Sequence, residues 1–422
     1  MRSCSFDGYG SYPDYMQFSN TFKAIGRIGI AAYLLFQQHT THEILRNVSS
    51  DQDLFSITGS GYHFVKYLGP SVVVVGVDCR SERTQSQVMA GPSYQGLFPK
   101  IATLPPSVQH CILMISVPVV YPRLEAAESL ANTVATGKKA LTGTYNMLGK
   151  VTSSVAGVVG AKGVVAEGFN SAKKAVGKSG LMGGFLSPFG DIDMLDELRD
   201  MWTHESKVCT DSPPPSPLPP PLSAPLPHHA TPANCAQQDL ERTYLIRTLQ
   251  GISHSRQIRM TFLSGAVKCC GAGLVHDPSH PSDHKTMYQI ISSAVVSAPP
   301  PSYVLKLLHS SNKPLYVPAN GHRSTHVVSD TKEDMMEVFA QDSGGREREQ
   351  KRLMGRRNYV ACVAYDPEKL ASGGLLGGAG GGAKSKGGLL SLAVDFMVQG
   401  EGSLAQPVKY GPVVIPGLEY GR

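Results

Sequence analysis

Apolar residues fall along this chain in short blocks with different periods. Val72–Val77 is an apolar, β-branched run preceded by Gly69-Pro70. That pattern predicts a strand buried on both faces, as in a parallel sheet. Ile112–Val117 is a second such run, ended by Pro118. Between Tyr15 and Arg46, Ile25, Ile28, Ala32, Leu35 and Phe36 recur at spacings of three and four, which predicts a helix. Further on, Leu240–Gln250 predicts a helix and Ile258–Leu263 a strand leading into Ser264-Gly265. Met287–Ser297 holds another apolar run, and Leu389–Val398 and Val408–Ile415 read as late strands. Strands alternating with helices predict an α/β fold.

Composition divides this frame. Residues 134–190 are rich in Gly, Ala, Val, Ser and Lys. They read as a helical insertion with lysines on one face, or as a helix lying on a membrane surface. Residues 191–207 return to ordinary helical composition. From Asp211 to Pro232, ten of 22 residues are proline, so 208–238 is expected to be a disordered insert of polyproline character. Such a run can also dock an SH3-type domain. Deleting it joins His204–Lys207 to Asp239–Arg242 as one amphipathic helix, as a retained intron would allow. Residues 371–388 are Gly-rich and lack G-K-[ST], so they read as a flexible loop and not a P-loop. The resulting division is 1–133, 134–190, 191–207, 208–238, 239–370, 371–388 and 389–422.

Charge and cysteines narrow the function. The net charge of +6 is too mild and dispersed to argue for nucleic acid. Arg346–Arg357 mixes both signs and reads as a solvated helix face, or as a contact for anionic lipid. Eight scattered cysteines without a C-x-x-C pair argue against structural zinc and suggest free thiols in a reducing compartment. Met1–Gly10 is polar, not a signal peptide, and the apolar core of Ile28–His42 is too short to span a bilayer. The expected location is intracellular, cytoplasmic or peripherally membrane-associated.

Three places carry candidate chemistry. Asp78 and Arg80 sit just past the first buried strand, at the edge where α/β sheets bind ligands. They can orient a phosphate or a metal shell, or simply form a strand-end salt bridge. Met260–Gly271 is a strand ending in a Gly turn with small residues after it. His276, Asp277, His280, Asp283 and His284 lie within nine residues. That spacing fits no standard zinc pattern. The prolines among them favour a hydrogen-bonded loop beside the site, with a metal or substrate role as the alternative.

Several of these segments, in order, resemble the PhoD-like phosphatases, and in particular a fungal branch of large PhoD-like proteins. Ser264–Lys268 is similar to the family's strand-then-G-D-x-H turn, and Asp78-Cys79-Arg80 to its D-x-R. Asp200-Met201-Trp202, followed after the insert by Glu241-Arg242, resembles its D-x-W…E-R helix. Phe6–Pro13 resembles the segment just after its D-D-H-D/E motif. The resemblance implies a metallophosphatase-like α/β/β/α sandwich, present here as an incomplete C-terminal portion of an N-terminally truncated chain. It also implies a two-metal centre of divalent ions such as calcium or iron, acting on phosphoric mono- or diesters. A phosphorylated small molecule or a phospholipid headgroup would be the partner.

The departures weigh against catalysis. Ala266 takes the metal-binding Asp place and Lys268 the His place, and the D-D-H-D places fall on Met1, Arg2, Ser3 and Cys4. Alanine offers no donor atom, and an ammonium repels a dication. The expected reading is a phosphatase-like chain that binds no metal and is inactive. The alternative is a non-catalytic interaction or membrane-surface module. Asp78, Arg80, Asp200, Trp202 and the five residues of the His/Asp loop stand as substrate or supporting candidates. A sheet without its early strands is further expected to expose Val72–Val77 at an edge, with poor solubility as the result.

Overall fold

The computed structural model describes residues 20–47, 54–58, 61–79, 81–82, 87–122, 232–265, 269–293, 295–296, 305–306, 308–309, 315–317, 331–342, 345–371, 388–400 and 406–418. The helices among them are α1 (Asn20–Gln37), α2 (His42–Asn47), α3 (Gly91–Ala102), α4 (Pro232–Arg256) and α5 (Pro367–Ala371). The strands are β1 (Leu54–Phe55), β2 (His63–Tyr67), β3 (Val72–Val77), β4 (His110–Ile115), β5 (Arg259–Ser264), β6 (Cys270–His276) and β7 (Met287–Ile291). They continue with β8 (Leu315–Tyr316), β9 (Lys332–Met335), β10 (Leu353–Met354), β11 (Asn358–Tyr365), β12 (Ser391–Val398) and β13 (Val408–Ile415).

Two sheets form. The larger runs β1-β2-β3-β4-β5-β7-β6-β9-β8, with β10 also paired to β6. Its centre, β3-β4-β5-β7, is parallel, and both flanks are antiparallel. The smaller sheet is the antiparallel meander β11-β12-β13. Parallel strands need crossovers, and α3 and α4 supply them between β3 and β4 and before β5. Both helices lie on one face. Leu97 and Ile101 of α3 and Leu245, Ile246 and Leu249 of α4 share a core with Val73, Val75 and Leu113. Tyr244 meets Tyr94 and Phe98 edge-on. The opposite face, including Val72, Val74, Ile112 and Ile290, packs against Leu392, Val394, Phe396 and Val398, the inward-alternating residues of β12. The layering is therefore helix, sheet, sheet, an α/β architecture of the expected kind.

Val72–Val77 is buried at every position and paired on both sides, so it is not an edge. The reason is β2, which folds back antiparallel through a turn where Gly69 has φ 90° and Leu68 N–H donates to the Val72 carbonyl at 2.9 Å. Gly76 makes this pairing possible. A Cβ there would lie 2.0 Å from the ring of Phe64, its register partner.

Other elements also differ from the pattern-based expectation. The first helix stops at Gln37 because His39 turns left-handed (φ 54°) and Thr40 N–H reaches back to the Leu34 carbonyl at 3.0 Å. That geometry caps a helix terminus, and a separate short helix follows. Arg346–Arg357 is not helical. Gln341 bridges Glu347, and Leu353-Met354 pairs with β6, because Leu353 and Met354 bury themselves in the two cores. Its charges pair locally, as in Lys351–Glu347 and Arg346–Asp342. Helix α4 begins at Pro232, within the segment read as insert. Residues 134–190, 191–207 and most of 208–238 and 371–388 lie outside the described residues. Among the described residues, no helix is long and apolar enough to cross a membrane.

Candidate functional site

The carboxy-terminal ends of β3, β4, β5 and β7 converge on one edge, where Asp78, Ser116, Gly265 and Ser292 follow the last paired residues. Open α/β sheets bind ligands at this edge. Among the described residues it is built of neutral groups and the Asp78 carboxylate. Asp78 accepts the Ser81 N–H at 3.0 Å and the Tyr62 N–H at 3.1 Å, one on each oxygen. Its own N–H donates to His63 Nδ1 at 3.2 Å. Burial then holds the His63 imidazole below its usual pKa, against the raising effect of Asp78 and Glu82. Neighbouring Glu82 accepts the Ala90 N–H at 3.0 Å and the Ser93 hydroxyl at 2.7 Å, and so fixes the start of α3.

Next along the edge, Cys79 Sγ lies 2.8 Å from Ser116 Oγ. Ser264 Oγ accepts from Gln289 Nε2 at 3.0 Å, and Gln289 Oε1 accepts the Val119 N–H at 2.8 Å. Asn358 of the second sheet accepts the Ser293 N–H at 3.0 Å and the Ser292 hydroxyl at 3.2 Å. Behind the edge, Glu241 and Arg242 of α4 organise the strand-end loops. Glu241 accepts the Val88 and Met89 N–H groups at 2.8 and 2.9 Å and the Tyr94 hydroxyl at 2.6 Å. Arg242 donates to the Val119 carbonyl at 2.8 Å and pairs with buried Glu333. Among the described residues, no group of three or more His, Cys, Asp or Glu could hold a metal ion.

Of the expected site residues, only Asp78 is placed at this edge. Arg80, Asp200, Trp202, Ala266 and Lys268 lie outside the described residues. The His/Asp loop is not beside this edge. It joins β6 to the start of β7, so it sits at the amino-terminal ends of the parallel strands, a six-residue strand or roughly 20 Å away. Its residues are engaged in structure. Asp277 accepts the Ser279 N–H at 2.9 Å, pairs with Lys285 at 3.3 Å and lies 3.7 Å from His280. Asp283 accepts the Lys285 N–H at 2.8 Å, and the His284 ring meets His254 of α4 at 4.5 Å. Burial lowers the pKa of His276 and of His284, helped for His276 by Lys332.

The residues that pattern reading missed are Gln289 and Arg259. Each had a signal, being the one strongly polar side chain in an apolar strand. The cysteines are free thiols where described: Cys79, Cys111, Cys269, Cys270 and Cys362. Burial pushes Cys111 up to about 12 and Cys269 up to about 11, which leaves both unreactive.

The family model for PhoD-related phosphatases matches residues 3–211 and 233–422. The chain belongs to the PhoD-related phosphatase family. The interruption falls within the proline-rich segment. A Saccharomyces cerevisiae protein described as uncharacterized is 26% identical over 400 residues, covering 85% of this chain and 46% of its own length. The chain thus spans about half of that relative. No solved structure matches the chain.

Proposed function

We propose that this phosphatase-like chain does not by itself assemble the two-metal centre through which its family hydrolyses phosphoric esters. The supporting observation is the way Asp78 is held. The carboxylate at the ligand-binding edge gives an oxygen to each of two backbone amides, and the strand that should deliver the next ligands runs through Ser264-Gly265 into Ala266 and Lys268. A dinuclear site needs carboxylate and imidazole donors together, and these residues do not fit one. The hydroxyls of Ser116, Ser264 and Ser292 can position a neutral or phosphorylated ligand by hydrogen bonds, so the chain acts as a binding module.

Metal analysis of the purified chain, with turnover of bis-p-nitrophenyl phosphate alongside, tests this reading. The expected outcome is less than 0.1 metal per chain, on the order of trace carry-over for a site without a full set of carboxylate and imidazole donors, and no turnover above buffer. Near-stoichiometric metal with turnover would overturn it. The double substitution Ala266→Asp, Lys268→His is expected to leave both readings unchanged.

A further inference from the structure

A cavity of about 400 Å³ lies between the two sheets, under the edge just described. Its floor is Ile112, Leu263 and Ile290 of the large sheet, and its roof is Val360, Leu392 and Ile415 of the small one. It rises to Ser264, Gly265 and Ser292 at the strand ends. Close-packed interiors hold few voids larger than a water molecule, and this volume falls within the range of about 300–1,000 Å³ typical of ligand pockets. The space is open as well as large. Met114 points from a central strand, yet it is 41% exposed.

Two features say what would fill it. Among the described residues, none of the lining side chains is charged, so a charged group would enter unpaired and lose its hydration. Deep in the cavity, Thr261 is 3% exposed and its Oγ1 has no hydrogen-bond partner. An orphaned buried hydroxyl is unfavourable, and a ligand carrying one neutral polar group would satisfy it. We propose that this inter-sheet cavity binds a neutral aliphatic molecule bearing one hydroxyl, a linear alcohol of about ten carbons being the simplest member. A cavity of about 400 Å³ is large enough to hold such a molecule. The hydroxyl meets Thr261 and the chain runs between the sheets toward Gly265. This site does not depend on whether the edge holds metal.

The probe is 1-decanol, with decanoate as the charged counterpart. Calorimetry on the full chain is expected to show saturable binding of decanol and at least tenfold weaker binding of decanoate. Cys362 lines the cavity and its side chain is exposed, so decanol is expected to slow its alkylation, read by mass spectrometry, at the same half-saturating concentration. That measurement needs no variant. Thr261→Val is expected to raise the melting temperature of the free protein while weakening decanol about threefold to tenfold, the worth of one hydrogen bond. Leu392→Phe, which fills the space, is expected to abolish both signals. Absence of saturable binding and of Cys362 protection in the unmodified chain would overturn the proposal, as would undiminished binding by a folded Leu392→Phe protein.

Discussion

At their amino-terminal ends β4 and β5 meet a buried guanidinium, a buried imidazole and a web of carbonyl acceptors. At their carboxy-terminal ends they meet hydroxyls, a thiol and an open cavity. The first end is locked. Arg259 is fully buried and donates to the carbonyls of Ser282, Asp283, Thr286 and Pro416 at 2.6–3.1 Å. Gln109 accepts the Leu390 N–H at 2.7 Å, and His110 Nε2 lies 2.8 Å from the Leu390 carbonyl. These bonds tie one end of the small sheet, where β12 begins and β13 ends, to the large one. The second end is tied chiefly through Asn358 and leaves room between the sheets. The difference separates two kinds of polar residue: those that close a structure against water and those that face a ligand.

The sharpest way to break the locked end is Arg259→Leu. It removes four charge-assisted bonds and leaves carbonyls of the 282–286 segment and of Pro416 without a donor. Leaving a buried carbonyl without its donor costs about 1–3 kcal/mol, so a loss of several kcal/mol is expected. Urea unfolding is expected to show that loss as a lower midpoint at unchanged slope. The same substitution logic at the open end predicts less, because no buried charge there holds the sheets together.

His110 gives the next largest effect, and it is read by pH. Burial pulls its pKa down to about 4, with Arg259 pushing the same way and the bond to Leu390 opposing. The unfolded chain, near 6.5, therefore takes up the proton first. Stability is fully present above about pH 6.5 and is lost as pH falls toward 4. At 1.36 kcal/mol per unit the loss reaches up to about 3 kcal/mol. His110→Gln keeps a donor for the Leu390 carbonyl and does not titrate. Chemical denaturation from pH 7 to 4 is expected to show the variant losing up to about 3 kcal/mol less than the parent across that interval.

Asp78→Ala probes the open end directly. It deletes the acceptor of the Tyr62 and Ser81 amides, and a loss of about 1–2 kcal/mol is expected with no change in bound metal. A drop in metal content on this substitution would show that Asp78 serves a ligand-binding edge rather than the loop geometry of β2 and β3.

Much of this contrast was legible in the residues. Unbroken apolar runs located β3 and β4, because a strand buried on both faces carries no alternation to obscure it. Strand β13 was bounded correctly although it is mostly exposed, with only Val413 and Ile415 buried. The helix carrying Glu241-Arg242 was expected as well, and α4 contains both residues. What stayed hidden was which end of the sheet each polar group occupies. The β6–β7 hairpin reverses the chain after β5, so His276–His284, ten residues beyond the turn in sequence, lie at the far end of the strands. Strand β6, Cys270–His276, was not foreseen, because its small residues and glycines carry no strand pattern. They serve close approach instead: a Cβ on Gly271 would lie 2.8 Å from Leu353 and one on Gly273 2.9 Å from Val120. The cavity was equally invisible, since it arises from the spacing of two sheets and from no local pattern.

The smallest effect belongs to the segment that looked most like chemistry. Asp277→Ala removes the pair with Lys285 and the acceptor of the Ser279 amide. The Asp277 side chain is only 10% exposed, but its partners reach solvent, His280 being 72% exposed on its side chain and Lys285 25%. Pairs this open to solvent contribute about 0–1 kcal/mol, and the Ser279 amide can turn to water. A loss below about 1 kcal/mol is expected, with unchanged phosphodiester turnover and unchanged metal content. The comparison with Asp78→Ala is what gives this measurement its force. Both aspartates accept backbone amides, but one stands at the ligand-binding edge and the other roughly 20 Å away. If Asp277→Ala altered ligand or metal binding more than Asp78→Ala did, the functional end of the sheet would be the one assigned here to structure.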